Sequence, residues 1–185
     1  MLRLSMVSIG VLGIAAVLTG CPEEPVAYSE TVSLKLSGMK EGDVKNNELS
    51  EEKNVNSESG NPYGAFVKAA TDALGRSPGR IAPTSAFLRI HSDSTGVTGF
   101  EEIFTSMELF FSDSATTIPV GTVDAPQGSS VEVPLDDVNL EALHDSMVGG
   151  DFKVGVRGPT QATTRDKFEL RISIDIIFEA YESAD

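Results

Sequence analysis

The C-terminal segment "DKFELRISIDIIFEAYE" constrains the fold most, because apolar residues occupy every second position along it. The alternating apolar positions are Phe168, Leu170, Ile172, Ile174, Ile176, Phe178 and Ala180. The residues between them are charged or polar, with Ile177 as the exception. In a β-strand, this period of two puts one face in an apolar core and the other in water. The segment therefore predicts a long strand with one buried face.

Shorter segments repeat the alternation and are separated by turns rich in Gly, Pro, Asp and Ser. They are "TVSLKL" at 31–36, "SAFLRI" at 85–90, "EIFTSMELFF" at 102–111, "TIPVGTV" at 117–123, "SVEVPL" at 130–135 and "FKVGVRG" at 152–158. With the C-terminal segment they make about seven strands. We therefore expect an all-β fold, an antiparallel β-sandwich that is Ig-like or jelly-roll-like.

Two segments predict short helices between the strands. In "NPYGAFVKAATDALG", Asn61 suits the N-cap, Pro62 the first helical position and Gly75 the C-terminal end. The apolar face of this helix consists of Tyr63, Phe66, Val67, Ala70 and Leu74. We expect it to cover one end or edge of the sandwich. The second segment, "NLEALHDSM", is shorter, and its apolar residues suit the opening between the two sheets.

The chain begins with the features of an export signal. Arg3 supplies one positive charge, and the residues from Leu4 to Leu18 then carry no charge. This apolar run is shorter than the roughly 20 residues needed to span a bilayer as a helix. A basic start, a short apolar centre and small residues at the end are typical of a secretory leader.

The end of this leader resembles the lipobox of bacterial lipoproteins. That motif is an aliphatic residue, a small or β-branched residue, Gly, Ala or Ser, and then Cys. Leu18, Thr19, Gly20 and Cys21 fill its four positions, and Cys21 is the only cysteine of the chain. The resemblance covers the first 21 residues and implies that Cys21 carries a diacylglyceryl group and becomes the new, acylated N-terminus. The alternative is an ordinary secretory signal with an incidental cysteine.

The resemblance divides the chain into three parts. Residues 1–20 are the signal peptide, residues 21–30 a lipidated tether, and residues 31–185 one sandwich domain. Within the domain, the residues from Lys40 to Asn61 include few aliphatic side chains, so we expect a long polar loop there that is either functional or disordered, with composition favouring disorder. The only cofactor implied is the covalent lipid at Cys21.

Charge and the residue after the cysteine indicate the partners and the location. Removing residues 1–20 changes the formal net charge from −14 to −15, so binding to nucleic acid is not expected. Pro22 stands where, in enterobacterial lipoproteins, an Asp favours the inner membrane. The resemblance therefore implies the periplasmic face of the outer membrane, with the lipid-bearing membrane as partner and an envelope protein as a second partner.

No catalytic motif is evident in the mature sequence. The sequence has two histidines, His91 and His144, but no G-x-S-x-G motif that would supply a serine nucleophile for a histidine base. Two histidines are also too few ligands for a zinc site. Aspartates at the predicted strand ends could supply oxygen ligands for calcium. Turns also favour aspartate, because its side chain forms hydrogen bonds within the turn. The aspartates in such positions are Asp93, Asp113, Asp124, Asp136 and Asp137. We expect these aspartates to be turn residues.

The Phe110–Phe111 pair places one ring on each face of a strand, so one ring has to be covered outside the core. We expect that ring to lie under a helix.

The sequence as a whole predicts a lipid-anchored, non-enzymatic module for interaction or structure in the cell envelope. The alternative is a periplasmic lipoprotein that binds a ligand or calcium through its acidic loops.

Overall fold

The computed structural model describes residues 27–58, 60–136, 140–160 and 167–182. These residues fold into antiparallel β-sheets with two α-helices between strands. The strands are β1 Ala27–Lys35, β2 Met39–Lys40, β3 Glu48–Asn56, β4 Arg80–Ile90, β5 Ser106–Ser112, β6 Thr117–Asp124, β7 Ser130–Val133, β8 Asp151–Pro159, β9 Glu169–Leu170 and β10 Ile172–Tyr181. The helices are α1 Pro62–Leu74 and α2 His144–Gly149.

The strand order identifies the sandwich as a jelly roll. One sheet has the order β1-β10-β4-β7, the other has the order β3-β8-β5-β6, and β2 pairs with β9 in a small separate ladder. The partners within the two main sheets are nested around the β5–β6 hairpin, since β4 pairs with β7, β3 with β8 and β1 with β10. Eight strands in two sheets with this connectivity form a jelly roll. The predicted sandwich is confirmed, and the jelly-roll form is the one adopted.

The core lies between the two sheets, where the alternating apolar residues of the sequence meet. All seven predicted strands are present, and the even-numbered residues of β10 from Ile172 to Ala180 are buried, as the period of two predicts. Phe111 of the opposite sheet contacts Phe178 and Phe152 there. The burial alternation continues through Arg171, where the strand is interrupted and β9 is separated from β10.

The prediction of a polar loop over Lys40–Asn61 is wrong, because the segment contains β3. Leu49 and Val55, near the two ends of β3, are fully buried, and the strand pairs with β8 along its whole length. The intervening core-side positions hold Glu51 and Lys53, which lie at the open edge of the sandwich where charge stays near water. Only two positions of β3 are apolar, so hydrophobic periodicity does not reveal it.

The predicted tether is also shorter than expected. Strand β1 begins at Ala27 and pairs with β10 from that residue onward, so residues 27–30 belong to the sheet. These four residues are mostly exposed, because β1 is an edge strand and its first buried residue is Val32. Their polar composition follows from the edge position.

Helix α1 has the predicted ends. The Asn61 side chain accepts a hydrogen bond of 3.0 Å from the Tyr63 N–H, and Gly75 ends the helix with a φ of 71°. Tyr63 and Phe66 are buried against Phe178, so α1 covers the edge of the sandwich formed by β1 and β3. Among the described residues, no helix has the length and apolar character required to cross a membrane.

Helix α2 contacts β4 of one sheet and β8 of the other. Met147 of α2 and Leu143, which precedes it, are buried. The helix therefore covers an opening between the sheets, as the sequence predicts.

Candidate functional site

The predicted lipobox residues, Leu18, Thr19, Gly20 and Cys21, lie outside the described residues. The nearest described residue is Ala27, at the start of β1. Ala27 pairs with Tyr181, and Tyr181 pairs in turn with Arg80. The chain that leads from Cys21 therefore enters the jelly roll at the end of the sheet where β10 finishes and β4 begins.

The histidines occupy different parts of the fold. His91 follows β4 directly, and its Nδ1 accepts a hydrogen bond of 3.1 Å from the N–H of Asp93. His144 is the first residue of α2, next to Asp145. The serine of that helix, Ser146, donates its hydroxyl to Asp113 at 2.9 Å, so this hydroxyl serves a structural contact.

Asp113 forms a turn, as the sequence predicts. Its Oδ1 accepts hydrogen bonds of 2.8 Å from the N–H groups of Ala115 and Thr116, at the connection between β5 and β6. These backbone hydrogen bonds, with the Ser146 hydroxyl, lower the pKa of the Asp113 carboxyl below its usual value.

The other described aspartates of this set lie at the ends of strands other than β5. Asp124 ends β6, Asp136 donates its N–H to the Val120 carbonyl at 2.9 Å, and Asp137 lies outside the described residues. Within the described ranges, no group of three or more His, Cys, Asp or Glu side chains has a geometry suited to a metal ion.

Phe110 and Phe111 point to opposite faces of β5, as predicted, but the helix does not cover the outer ring. Phe111 is in the core, whereas Phe110 lies on the outer face of its sheet and is still only 4% exposed. Its ring packs over Gly155 of β8, and the guanidinium of Arg157 lies 5.1 Å from the ring centroid. The Phe110 ring therefore lies against the backbone at Gly155, and Arg157 covers it from the side of the solvent.

A groove with basic walls runs along the edge of the sandwich near the C-terminal end of β1. We call it the basic groove and define it by Lys35, Lys53, Arg89, His91 and Arg171. It consists of two cavities of about 340 and 300 Å³, and Lys35 and Lys53 line both. Volumes of this size are at the lower end of those found for small-molecule sites.

Asp93 organises one wall of the basic groove. Its Oδ2 lies 2.8 Å from the Lys35 Nζ, 3.4 Å from the His91 Nδ1 and 3.7 Å from the Arg171 Nη1. The hydrogen bond and the charge of Lys35 are the main reasons why the pKa of Asp93 is lowered. Arg171 also donates to Glu169 at 2.6 Å, which raises the pKa of Arg171.

Lys53 has a different environment from the other cations of the groove. It lies on the core side of β3, opposite Val154, and its Nζ donates to the backbone carbonyl of Lys35 at 3.3 Å. This contact links an edge strand of one sheet to an edge strand of the other. Among the described residues, Lys53 forms no ion pair with a carboxylate, whereas Lys35, Arg89 and Arg171 each do.

The sequence alone did not indicate this groove. Its residues come from β1, β3, the end of β4 and the short connection between β9 and β10, and they share no motif. The sequence of β3 carries no signal for it, because Glu51 and Lys53 are both charged and leave no apolar period between Leu49 and Val55. Lys53 is placed in the groove only by the register of β3 with β8.

Comparisons with known proteins add little to these observations. No protein-family model and no curated protein matches the chain. A solved structure of Cocksfoot mottle virus is 12% identical, with a TM-score of 0.33, and the match covers 100% of this chain and 96% of that chain. A structure of turnip yellow mosaic virus is 9% identical, with a TM-score of 0.31, over 85% of this chain and 94% of that chain. Matches this weak carry no argument about activity, and the fold assignment above depends on the strand order.

Proposed function

We propose that the chain is a bacterial lipoprotein of the cell envelope, held to a membrane by acyl groups on Cys21. The observation that carries the proposal is the coincidence of an export leader, a complete lipobox at residues 18–21 and a cysteine that occurs once in the chain. Two or more acyl chains provide stable membrane attachment, which one chain does not.

The position of β1 supports a domain that is close to the bilayer. Five residues, Pro22 to Val26, separate Cys21 from Ala27. Even when fully extended, this connection spans only about 20 Å between the Cα atoms of Cys21 and Ala27. In this proposal, the end of the sheet that includes Ala27, Arg80 and Tyr181 faces the membrane, and the C-terminal end of β1 points away from it.

The proposed location is the periplasmic face of the outer membrane. Pro22 supports this choice, because the residue after the lipidated cysteine is the position at which an Asp favours inner-membrane retention in enterobacterial lipoproteins. The formal charge of −15 keeps the domain soluble beside an anionic membrane and disfavours nucleic acid as a partner. The proposed protein partner is another component of the envelope.

The proposed role is interaction or structure, without catalysis. In support of this, the polar groups that sequence inspection singles out have structural contacts. Asp113 holds a turn, His91 accepts a backbone hydrogen bond, and Ser146 bonds to Asp113. A catalytic triad would instead need a serine hydroxyl and a histidine in contact.

The test is metabolic labelling with a labelled fatty acid in two single-substitution variants. Cys21→Ala removes the sulfur that would carry the lipid, so we expect an uncleaved precursor that incorporates no label. Gly20→Ala is the matched control, because the lipobox accepts Ala at this position, and we expect it to be cleaved and labelled as the wild type is. If the Cys21→Ala protein is labelled as the wild type is, the proposal is refuted.

A further inference from the structure

We propose that the basic groove is a binding site for phosphate groups of a soluble, multiply phosphorylated ligand. The binding step is independent of the lipid anchor and goes beyond the role proposed above. The inference depends on three features of the groove: its concentration of cations, the environment of Lys53 and its division into two adjoining cavities.

The groove has a cluster of cations although the molecule as a whole is acidic. The chain has twice as many acidic as basic residues, 28 against 14, yet four of its lysine and arginine side chains line this one groove. The smaller cavity is lined by Lys35, Lys53 and Arg171 and by no acidic residue. The larger one has a single acidic lining residue, Asp175. Among the charged side chains that line the two cavities, cations outnumber carboxylates, and such a lining favours anionic ligands.

Three carboxylates around the groove already have cationic partners. Asp93 accepts from Lys35, Asp175 pairs with Arg89, and Glu169 pairs with Arg171. Glu51 lies on the same side of β3 as Lys53, and burial raises its pKa. These contacts fix the positions of the groove's cations, as preorganised binding sites require.

Lys53 is the one lysine or arginine of the groove that pairs with no carboxylate among the described residues. Its one hydrogen bond in the described structure goes to the neutral carbonyl of Lys35 at 3.3 Å, and this bond holds the ammonium at the boundary of the two cavities. The ammonium group has three donors, so it retains donors for a ligand. An oxyanion beside Lys53 would also be within the field of Lys35 and Arg171.

The two cavities favour a ligand with more than one phosphate. Lys35 and Lys53 line both cavities, Arg171 lines only the smaller one and Arg89 only the larger one. Each cavity therefore has two lysines and one arginine, the side chains that bind phosphate as a point charge and as a bidentate fork. Inorganic pyrophosphate, which carries two phosphate groups, is therefore the probe for this site.

The position of the groove favours a soluble ligand over headgroups of the anchoring membrane. Lys35 is the last residue of β1, and at about 3.4 Å per residue it lies about 27 Å along the strand from Ala27. If the anchor precedes Ala27, the groove faces away from the bilayer to which the protein is attached. This choice of source is the one step that rests on the proposed lipid anchor.

The test is calorimetric titration of the full-length protein, in a neutral detergent at low ionic strength, with inorganic pyrophosphate. We expect saturable binding that weakens as sodium chloride is added. Lys53→Gln should weaken binding about fivefold, as the loss of one partly exposed ion pair implies. Lys68→Gln is the matched control, because it removes the same charge outside the groove. Lys68 pairs with Asp72 on the surface of α1.

Two further variants keep the test decisive if Lys53→Gln is unstable. Lys53→Arg preserves the charge and should bind within about twofold of wild type, and Lys35→Gln should weaken binding as Lys53→Gln does. Titration with glycerophosphoglycerol, the phosphatidylglycerol headgroup without its acyl chains, separates the two sources of phosphate. Binding to pyrophosphate but not to this headgroup supports a soluble ligand, and headgroup binding alone refutes that source. No binding to either probe, or an equal loss in Lys68→Gln, refutes the site.

Discussion

At the scale of single residues, Gly155 shows how the outer face of a sheet can require a glycine. A Cβ built at this position would lie 2.2 Å from the Cζ atom of Phe110, within the volume of the ring. The ring has little room to move, because it is buried and has Arg157 beside it. The absence of a side chain at residue 155 is therefore what allows an aromatic ring to be covered without a helix.

Gly155→Ala should lower the free energy of unfolding by about 1–3 kcal/mol, the usual effect of extra volume in a packed site. Urea denaturation monitored by circular dichroism measures this change. Gly42→Ala is the control, since a Cβ at Gly42 would meet no atom within 4 Å. Equal stability of the two variants would show that the Phe110 ring does not lie over Gly155.

At the scale of elements, β3 shows which strands the sequence can and cannot reveal. The other main-sheet strands contain enough alternating apolar residues to be predicted, and β10 has a complete buried face. In β3 the four core-side positions are apolar at the two ends and charged in the middle. They are Leu49, Glu51, Lys53 and Val55. The edge position makes that composition tolerable, and inward-pointing charge also protects an edge from pairing with another chain.

Leu49→Ala distinguishes a strand from a disordered loop. Because Leu49 is fully buried, we expect a loss of about 2–5 kcal/mol in the free energy of unfolding. Ser50→Ala, one residue later on the exposed face, should change stability by less than about 0.5 kcal/mol. If denaturant unfolding finds both variants as stable as wild type, residues 48–56 do not form the described strand.

The β5–β6 turn predicts a dependence of stability on pH. The pKa of Asp113 is lowered in the folded state, so its carboxylate stabilises the fold at pH values above the unfolded-state pKa. That contribution disappears as the pH falls from the unfolded-state pKa towards the lower folded-state pKa. Asp113→Asn should therefore be less stable than wild type at pH 7, and the difference should shrink as the pH is lowered below about 4. Thermal melts across this range measure the difference, and a gap that is constant with pH would contradict the assignment.

At the scale of the whole molecule, the sequence predicts the architecture better than it predicts the site. Alternation and turn composition predict the sandwich and seven of its strands, and the caps at Asn61 and Gly75 predict α1. The nested pairing that makes the fold a jelly roll depends on contacts distant in sequence, such as β1 with β10. The basic groove depends on the same contacts, because the sheet registers bring Lys35, Lys53 and Arg171 together.

The proposed lipid attachment depends on sequence alone, since the resemblance of residues 18–21 to a lipobox is local to those four positions. Its residues lie outside the described structure, so the proposal is supported from the fold only by the short distance in sequence between Cys21 and β1. An anchor this close would hold the acidic jelly roll next to the membrane with the basic groove facing outward. Cross-linking in whole cells would then identify the envelope protein that it meets.

Mass spectrometry of the N-terminal peptide, from protein isolated from its native host, tests the central proposal most directly. The account predicts a peptide that begins at Cys21 and carries the added mass of a diacylglyceryl group and an amide-linked acyl chain. A peptide that begins at another residue, or an unmodified thiol at Cys21, would contradict it.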